Sequence, residues 1–423
     1  MIWFGIFILL GVIFYKRLKS SKPVKQYGDS VIQLMSHEAK PIGVFSSPPI
    51  QTVTIFSSAN IDQVALRTAE IVKLNPWLLG RLIRGPNKTL ELHYFKDSIS
   101  GHNAFTHIHA PLPLTSSWNE ITDYLATISL VTTGQKCADQ ATQYLFQVIL
   151  VDLPDGKIAL CVALNHTIGD GHTFIELYKM LDYRNCPKSL NPTRPFINSK
   201  EVFSTCSPYG DKALNSSFVK IRVLYHIWLF FYNKLWFNAQ KRAAVYRVSM
   251  KYVDAVKANH IPTKDIPFLS TNDIVTSAYF IATKAILGLM QVNLRSRLKL
   301  SENNAGNYAI SFVYPKEFFL TPCDIRKSMG QWQQFPTLNN ECPTFTQAIC
   351  GERLCLLTNH TSAYHELFLI EGVPPLKHSP LARISFLSFD TMAVLYNHTS
   401  QEIRLRVRGD FEPTSELFEQ VYE

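Results

Sequence analysis

Residues Tyr144–Phe174 read YLFQVILVDLPDGKIALCVALNHTIGDGHTF, and their reading decides the fold. Two apolar runs, Tyr144–Val151 and Ile158–Leu164, are rich in residues that suit a pleated, buried surface. Pro154-Asp155-Gly156 between them is a turn signal: Pro presets one dihedral, Asp caps, and Gly supplies positive φ. The pattern predicts a β-hairpin. After the second strand come Asn165-His166-Thr167-Ile168-Gly169-Asp170-Gly171, then Phe174, Ile175, Leu177, Tyr178 and Leu181 at mainly helical spacing. A histidine thus stands at the mouth of a buried strand, four residues before an aspartate bracketed by two glycines, where the backbone has unusual freedom. Taken alone, the pair has two readings. His166 is an ordinary strand-end histidine with Asp170 capping the next helix, or the turn holds the histidine for chemistry.

Outward from this stretch the chain alternates strand and helix. Thr52–Phe56 reads as a strand, and Ile61–Leu74 puts Ile61, Val64, Ala65, Ala69 and Val72 on one helical face until Asn75-Pro76 stops it. Trp77-Leu78-Leu79-Gly80-Arg81-Leu82 follows, and Trp118–Leu130 is a second amphipathic helix. Pro187–Pro208, rich in Pro, Asn and Ser, reads as a crossover. Phe218–Phe237 is dense in aromatics but interrupted by Lys220, Arg222 and Lys234; it reads equally as an interfacial helix or a core helix. Tyr246–Tyr252 is expected to be a strand, with Val253–Ala258 starting a helix. Ser270-Thr271-Asn272-Asp273-Ile274-Val275-Thr276-Ser277-Ala278 is a capped helix start. Val292–Leu298 and, after a short loop, Gly306-Asn307-Tyr308 come next. The tail is read as strands Ile384–Phe389 and Ile403–Val407 around a long turn with Asn397, then a terminal helix at Glu416–Val421.

Composition narrows the class. With 423 residues the chain has room for a large α/β unit or paired lobes. The eight cysteines show no CxxC pair and no metal-finger spacing, so reduced thiols and no metal are expected. The net charge of +9 suits anionic surfaces or phosphates, yet no basic run is interleaved with aromatics as nucleic-acid binding would need. Met1–Tyr15 is wholly uncharged, and Lys16, Arg17, Lys19, Lys22 and Lys25 follow it, the reverse of a secretory signal. The expectation is a single-pass N-terminal membrane anchor with a cytosolic body, at the endoplasmic reticulum in a eukaryote. The sequon at Asn165 overlaps His166, where a glycan would block the site, in line with that orientation.

The hairpin, His166-x-x-x-Asp170-Gly171 and the following helix together resemble the acyl-CoA-dependent acyltransferase superfamily with the chloramphenicol acetyltransferase-like fold. Its members include the plant BAHD acyltransferases, wax ester synthases and condensation domains. Ser270–Ala278 resembles the BAHD "ST-x-D-hh-T-A" helix, and Asn293-Leu294-Arg295-Ser296-Arg297 with Gly306-Asn307 resembles the "N-h-R-S-R" strand and "GN" turn. There are departures. Asn165 stands where some relatives carry a first histidine, and the "DFGWG" segment of BAHD enzymes is absent.

The resemblance implies a two-lobed α/β fold, each lobe a mixed sheet flanked by helices. Its divisions would be 1–25 for the anchor and basic flank, 26–200 for the first lobe, 201–244 for a crossover and 245–423 for the second lobe. It also implies His166 as catalytic base, with Asp170 and Gly171 supporting its turn and Asp170 salt-bridged to Arg295. The expected reaction passes an acyl group from acyl-CoA, a co-substrate, to a hydroxyl or less readily an amine, with no covalent intermediate and no bound cofactor. Candidate oxyanion or substrate contacts are Asn307 and the Thr358-Asn359 pair. The expected acceptor is lipophilic and the protein monomeric. Acylation of a soluble secondary metabolite, or a non-catalytic binding module on the same fold, are the alternatives.

Overall fold

The computed structural model describes residues 27–422 except 41–43, 86–88, 98–103, 140–143, 196–212, 214–215, 226–242, 331–342, 345, 348–349, 351, 362–365, 382–388 and 414. Strands in the first half are β1 (Ser30–Gln33), β2 (Ile50–Phe56), β3 (Arg81–Arg84), β4 (Leu90–Tyr94), β5 (Phe105–His109), β6 (Phe146–Asp152) and β7 (Ile158–Leu164). The second half adds β8 (Ala244–Val248), β9 (Ala285–Asn293), β10 (Ala309–Pro315), β11 (Arg353–Asn359), β12 (Lys377–Pro380), β13 (Thr391–Asn397), β14 (Ile403–Gly409) and β15 (Phe418–Val421). The helices used below are α1 (Ile61–Leu74), α2 (Trp118–Ile128), α3 (Gly134–Asp139), α4 (Gly171–Lys179), α5 (Met250–Ala258), α6 (Thr271–Ala282) and α7 (Pro322–Gly330).

Both larger sheets are mixed. The five-stranded sheet has the order β12-β2-β7-β6-β5, the seven-stranded sheet β10-β9-β11-β13-β14-β8-β15, and a small third sheet β1-β4-β3. The predicted hairpin is β6–β7, in register from Phe146 opposite Leu164 to Asp152 opposite Ile158. Leu153 N donates to Lys157 O at 2.8 Å across its turn, and Gly156 takes φ +79° there. Because these strands are covered on both faces, they read as continuous apolar runs rather than as alternation. Val148, Leu150, Leu160, Val162 and Leu164 join one core with Phe174 and Leu177 of α4. Ile149, Val151, Ala159 and Cys161 join another with Leu125 of α2.

The seven-stranded sheet is layered likewise. Leu357, Ala393 and Leu395 pack with Ile274, Val275 and Phe280 of α6. On the opposite face Leu287, Leu289, Leu354 and Leu356 pack with Ala213, Phe218 and Val219. The described part of Phe218–Phe237, residues 218–225, therefore packs one face on the core and leaves Leu224 and Tyr225 exposed; 226–237 lie outside the described residues. The halves share a sheet: β12, from the second half, pairs with β2, Ser379 opposite Val53 and His378 opposite Thr54.

Several expectations need correction. The strand expected at Tyr246–Tyr252 ends at Val248, because the Ser249 side chain accepts from Tyr252 N at 3.3 Å and starts α5. The strand that the resemblance implied over Asn293–Arg297 stops at Asn293, whose Oδ1 takes the Arg295 N–H at 3.0 Å and turns the chain. Thr358 and Asn359 close β11. Ile384–Phe389 falls almost wholly outside the described residues, while Asn397, expected in a long turn, ends strand β13. The terminal helix is instead β15, drawn into the ladder by the free edge of β8.

The expected membrane anchor is also withdrawn. No helix among the described residues is long and apolar enough to cross a membrane. The segment Met1–Lys25 lies outside the described residues.

Candidate active site

β7 delivers the chain to Asn165, a fully buried residue with a structural task. Its Nδ2 donates to Thr132 O at 2.7 Å, and its Oδ1 accepts from Thr167 N at 2.9 Å. The carboxamide thus folds the turn that presents His166. Gly134, the first residue of α3, lies so close under this turn that a Cβ there would meet the Thr167 hydroxyl.

His166 is half-buried, and its Nδ1 is sequestered with no hydrogen-bond partner among the described residues. Burial lowers its pKa from the usual 6.5, opposed only in part by its own backbone, Asp170, Asn307 and Glu38. The imidazole is therefore neutral at physiological pH, as a proton acceptor must be.

Asp170 both caps and pairs. As N-cap of α4 it accepts from Thr173 N at 3.0 Å. The same carboxylate takes the Arg295 fork, Nη1 to Oδ2 at 2.8 Å and Nη2 to Oδ1 at 3.0 Å, and also Tyr308 N at 3.0 Å. Arg295 is fully buried, and its remaining donors reach Asn304 O, Gly306 O and Thr173 Oγ1. Burial alone would raise the Asp170 carboxyl, but Arg295 and the Thr173 and Tyr308 amides outweigh it and hold the pKa below its usual value. Gly306 sits in this knot at φ +146°, with its carbonyl accepting from Asp170 N at 3.2 Å.

A second buried ion pair lies beside the first, and nothing in the sequence marked it. Arg194 Nε donates to Glu38 Oε2 at 3.0 Å, and the Arg194 guanidinium also holds Ile168 O at 3.0 Å and Ala305 O at 2.7 Å. Glu38 in turn accepts from Met35 N and Asn307 N, so its pKa is lowered despite a burial that would raise it. No periodicity or motif distinguishes a lone Glu in a loop; only the distant residues that converge on it do.

The structure assigns the candidate donors elsewhere. Asn307 Nδ2 donates to Glu38 Oε1 at 3.0 Å, His166 O at 3.0 Å and Thr167 O at 3.1 Å, so its amide is spent on the turn. Asn359 Nδ2 donates to Asn272 Oδ1 at 2.7 Å, and its Oδ1 accepts from Thr361 N at 2.7 Å. Thr358 is half-buried at the end of β11. Next to it stands a residue the sequence reading passed over. A Cβ on Gly171 would lie 3.7 Å from His360 Nε2. His360 is held at about 4 by burial and by His166. Behind it His378, held at about 3 by burial and by His360 and His398, shares a hydrogen bond with Thr54 Oγ1 at 2.9 Å. Among the described residues no group of His, Cys, Asp and Glu is arranged to hold a metal.

Comparison with solved structures places the fold. The chain is similar to TRI101 of F. sporotrichioides complexed with coenzyme A and T-2: TM-score 0.53, 12% identity, 92% of this chain and 100% of that one. F. graminearum TRI101 complexed with coenzyme A and T-2 mycotoxin gives 0.56 at 12% identity, over 90% of this chain and 95% of that one. Polyketide synthase associated protein 5 of Mycobacterium tuberculosis gives 0.53 at 14% identity, over 93% and 95%. The first condensation domain of the CDA synthetase gives 0.52 at 10%, over 90% and 91%. No family model matches the sequence, and no curated protein matches it. At such identities the shared property is the fold, mixed α/β with mixed sheets, which is the chloramphenicol acetyltransferase-like fold that the motifs had suggested.

Proposed function

We propose that this protein is an acyl-CoA-dependent acyltransferase with His166 as general base. The observation that carries the reading is a neutral imidazole at the end of a buried strand, its turn held by the Asp170–Arg295 pair. In support, structures of this fold bind coenzyme A together with T-2 or deoxynivalenol. His166 takes the proton of an acceptor hydroxyl as its oxygen attacks the thioester carbonyl. The tetrahedral intermediate then collapses, the C–S bond breaks, and the CoA thiolate recovers the proton from His166. General-base assistance of this kind contributes about 10²–10⁴-fold. The same reading assigns residues 26–200 and 245–423 to two lobes joined by a crossover at 201–244.

For the acceptor we propose a lipophilic alcohol. Around His166 the described carboxylates are tied up in buried pairs, Asp170 with Arg295 and Glu38 with Arg194, and burial disfavours the charged form of His360 and His378. Such surroundings offer no free charge to an ionic acceptor.

The test incubates purified protein with acetyl-, octanoyl- and palmitoyl-CoA and a panel of alcohols, following thiol release and identifying esters by mass spectrometry. Ester formation that disappears in a folded His166→Ala variant is expected. Thiol release in none of the pairs, or an unchanged rate in His166→Ala, overturns the reading.

A further inference from the structure

Asn165-His166-Thr167 occurs three times over: Asn359-His360-Thr361 and Asn397-His398-Thr399 repeat it. Each copy begins at or just beyond the C-terminal end of a strand, β7, β11 and β13 respectively. β11 and β13 are parallel neighbours, and His360 N donates to Leu395 O at 2.8 Å, so the second and third copies lie side by side. The second copy meets the first where His360 Nε2 faces Gly171, at the start of the helix that Asp170 caps.

The three histidines beyond His166 differ in what holds them. His378, on β12, engages Thr54 through Nδ1 at 2.9 Å. His398 Nδ1 lies 3.1 Å from His378 O. His360 makes no side-chain hydrogen bond among the described residues, although Asn359 fixes the loop on either side of it through Asn272 and Thr361. A half-buried imidazole on a fastened loop, near the general base and with no bond of its own, is placed to bond something that arrives.

We propose that His360 is a catalytic residue whose ring N–H stabilises the oxyanion of the tetrahedral intermediate formed at His166. The inference rests on the acyltransferase reading. The donors suggested by the sequence at Asn307 and Asn359 are engaged elsewhere. A neutral imidazole can polarise a carbonyl as a hydrogen-bond donor without giving up its proton. The low pKa of His360, about 4, keeps it in that form at physiological pH. The ring donates a hydrogen bond while negative charge sits on the carbonyl oxygen, and the charge leaves with the thiolate when the C–S bond breaks. His166 alone exchanges a proton.

The test compares wild type, His166→Ala, His360→Ala and His360→Gln with the acyl-CoA and alcohol giving the greatest thiol release in the screen above. Loss of one oxyanion donor typically costs about 10²–10³-fold in kcat, and that loss is expected in His360→Ala with KM little changed. His360→Gln, which keeps an N–H donor of similar reach, should recover part of it. A structural role would lower the unfolding temperature of both variants and would not separate Gln from Ala. Histidine ¹³C NMR of the free protein supplies a readout apart from turnover: the His360 ring should stay neutral well below pH 6.5, its usual pKa. Near wild-type kcat in His360→Ala, with His166→Ala inactive, overturns this inference and leaves the acyltransferase reading standing. Wild-type protein that acylates nothing overturns both. A His360 ring that titrates like one in free solution overturns the inference by itself.

Discussion

At the scale of single residues, the site depends on charges removed from water and then fully paired. Arg295 and Asp170 are essentially unexposed, their side chains at 0% and 4%. Removing one member of such a pair leaves an orphan charge and costs about 3–5 kcal/mol, whereas removing both does not. Asp170→Ala and Arg295→Ala are therefore each expected to destabilise strongly, and the double variant by much less than their sum. A double-mutant cycle on denaturant unfolding checks this; additive losses would mean that Asp170 acts only as the α4 cap. Kinetics report on His166 itself. Its pKa lies below 6.5, so kcat/KM should hold level as pH falls through 6.5 and drop only in more acidic solution. A half-maximal rate above that pH would show the ring to be solvated or protonated. The sequence exposed Asp170 and Arg295 because each sits in a short motif. Glu38, Arg194 and His360 sat in no pattern that residues taken singly reveal, although the repeated Asn-His-Thr tripeptide marked His360 for a reader comparing strand ends.

At the scale of elements, the most legible helices were those whose ends carry their own caps. α1 runs from Asn60, whose side chain accepts from Gln63 N, and stops before Asn75-Pro76, where the sequence ends it. α6 begins at a capping box of Ser270 and Asp273. What failed depended either on a distant partner or on a short side-chain turn that bends the backbone. β15 is a short amphipathic stretch that local propensity sends to a helix and the open edge of β8 makes a strand. Arg295 leaves its strand because one asparagine side chain bends the backbone. The Gly306 turn shows the same dependence and is open to test. Its φ of +146° is closed to side chains, and a Cβ would come within 2.9 Å of the Arg194 guanidinium carbon. Gly306→Ala is expected to lower the unfolding temperature and to reduce turnover by shifting Asn307 beneath His166. Unchanged activity in that variant would show that the turn does not position the base.

At the scale of the whole molecule, burial of neutral imidazoles fixes the direction of acid sensitivity. An unfolded histidine takes up a proton near pH 6.5, while folded His360 resists until about 4 and His378 until about 3. The unfolded state therefore binds more protons across that window, and stability must fall as pH drops from 6.5 toward about 4. Asp170 and Glu38, whose folded pKa values lie below their usual 3.8 and 4.5, add a further loss in more acid solution. The melting temperature is expected to decline steadily below pH 6.5, and His360→Gln should lessen the slope; a flat profile from neutral to mildly acid pH would contradict the burial described for these rings. The crossing of β12 into the first sheet has a consequence of another kind. β2, buried along six of its seven positions, is left with a bare edge whenever the second half of the chain is missing. A nascent chain thus holds an unfinished, adhesive sheet until Lys377–Pro380 is synthesised, long after the strands it completes.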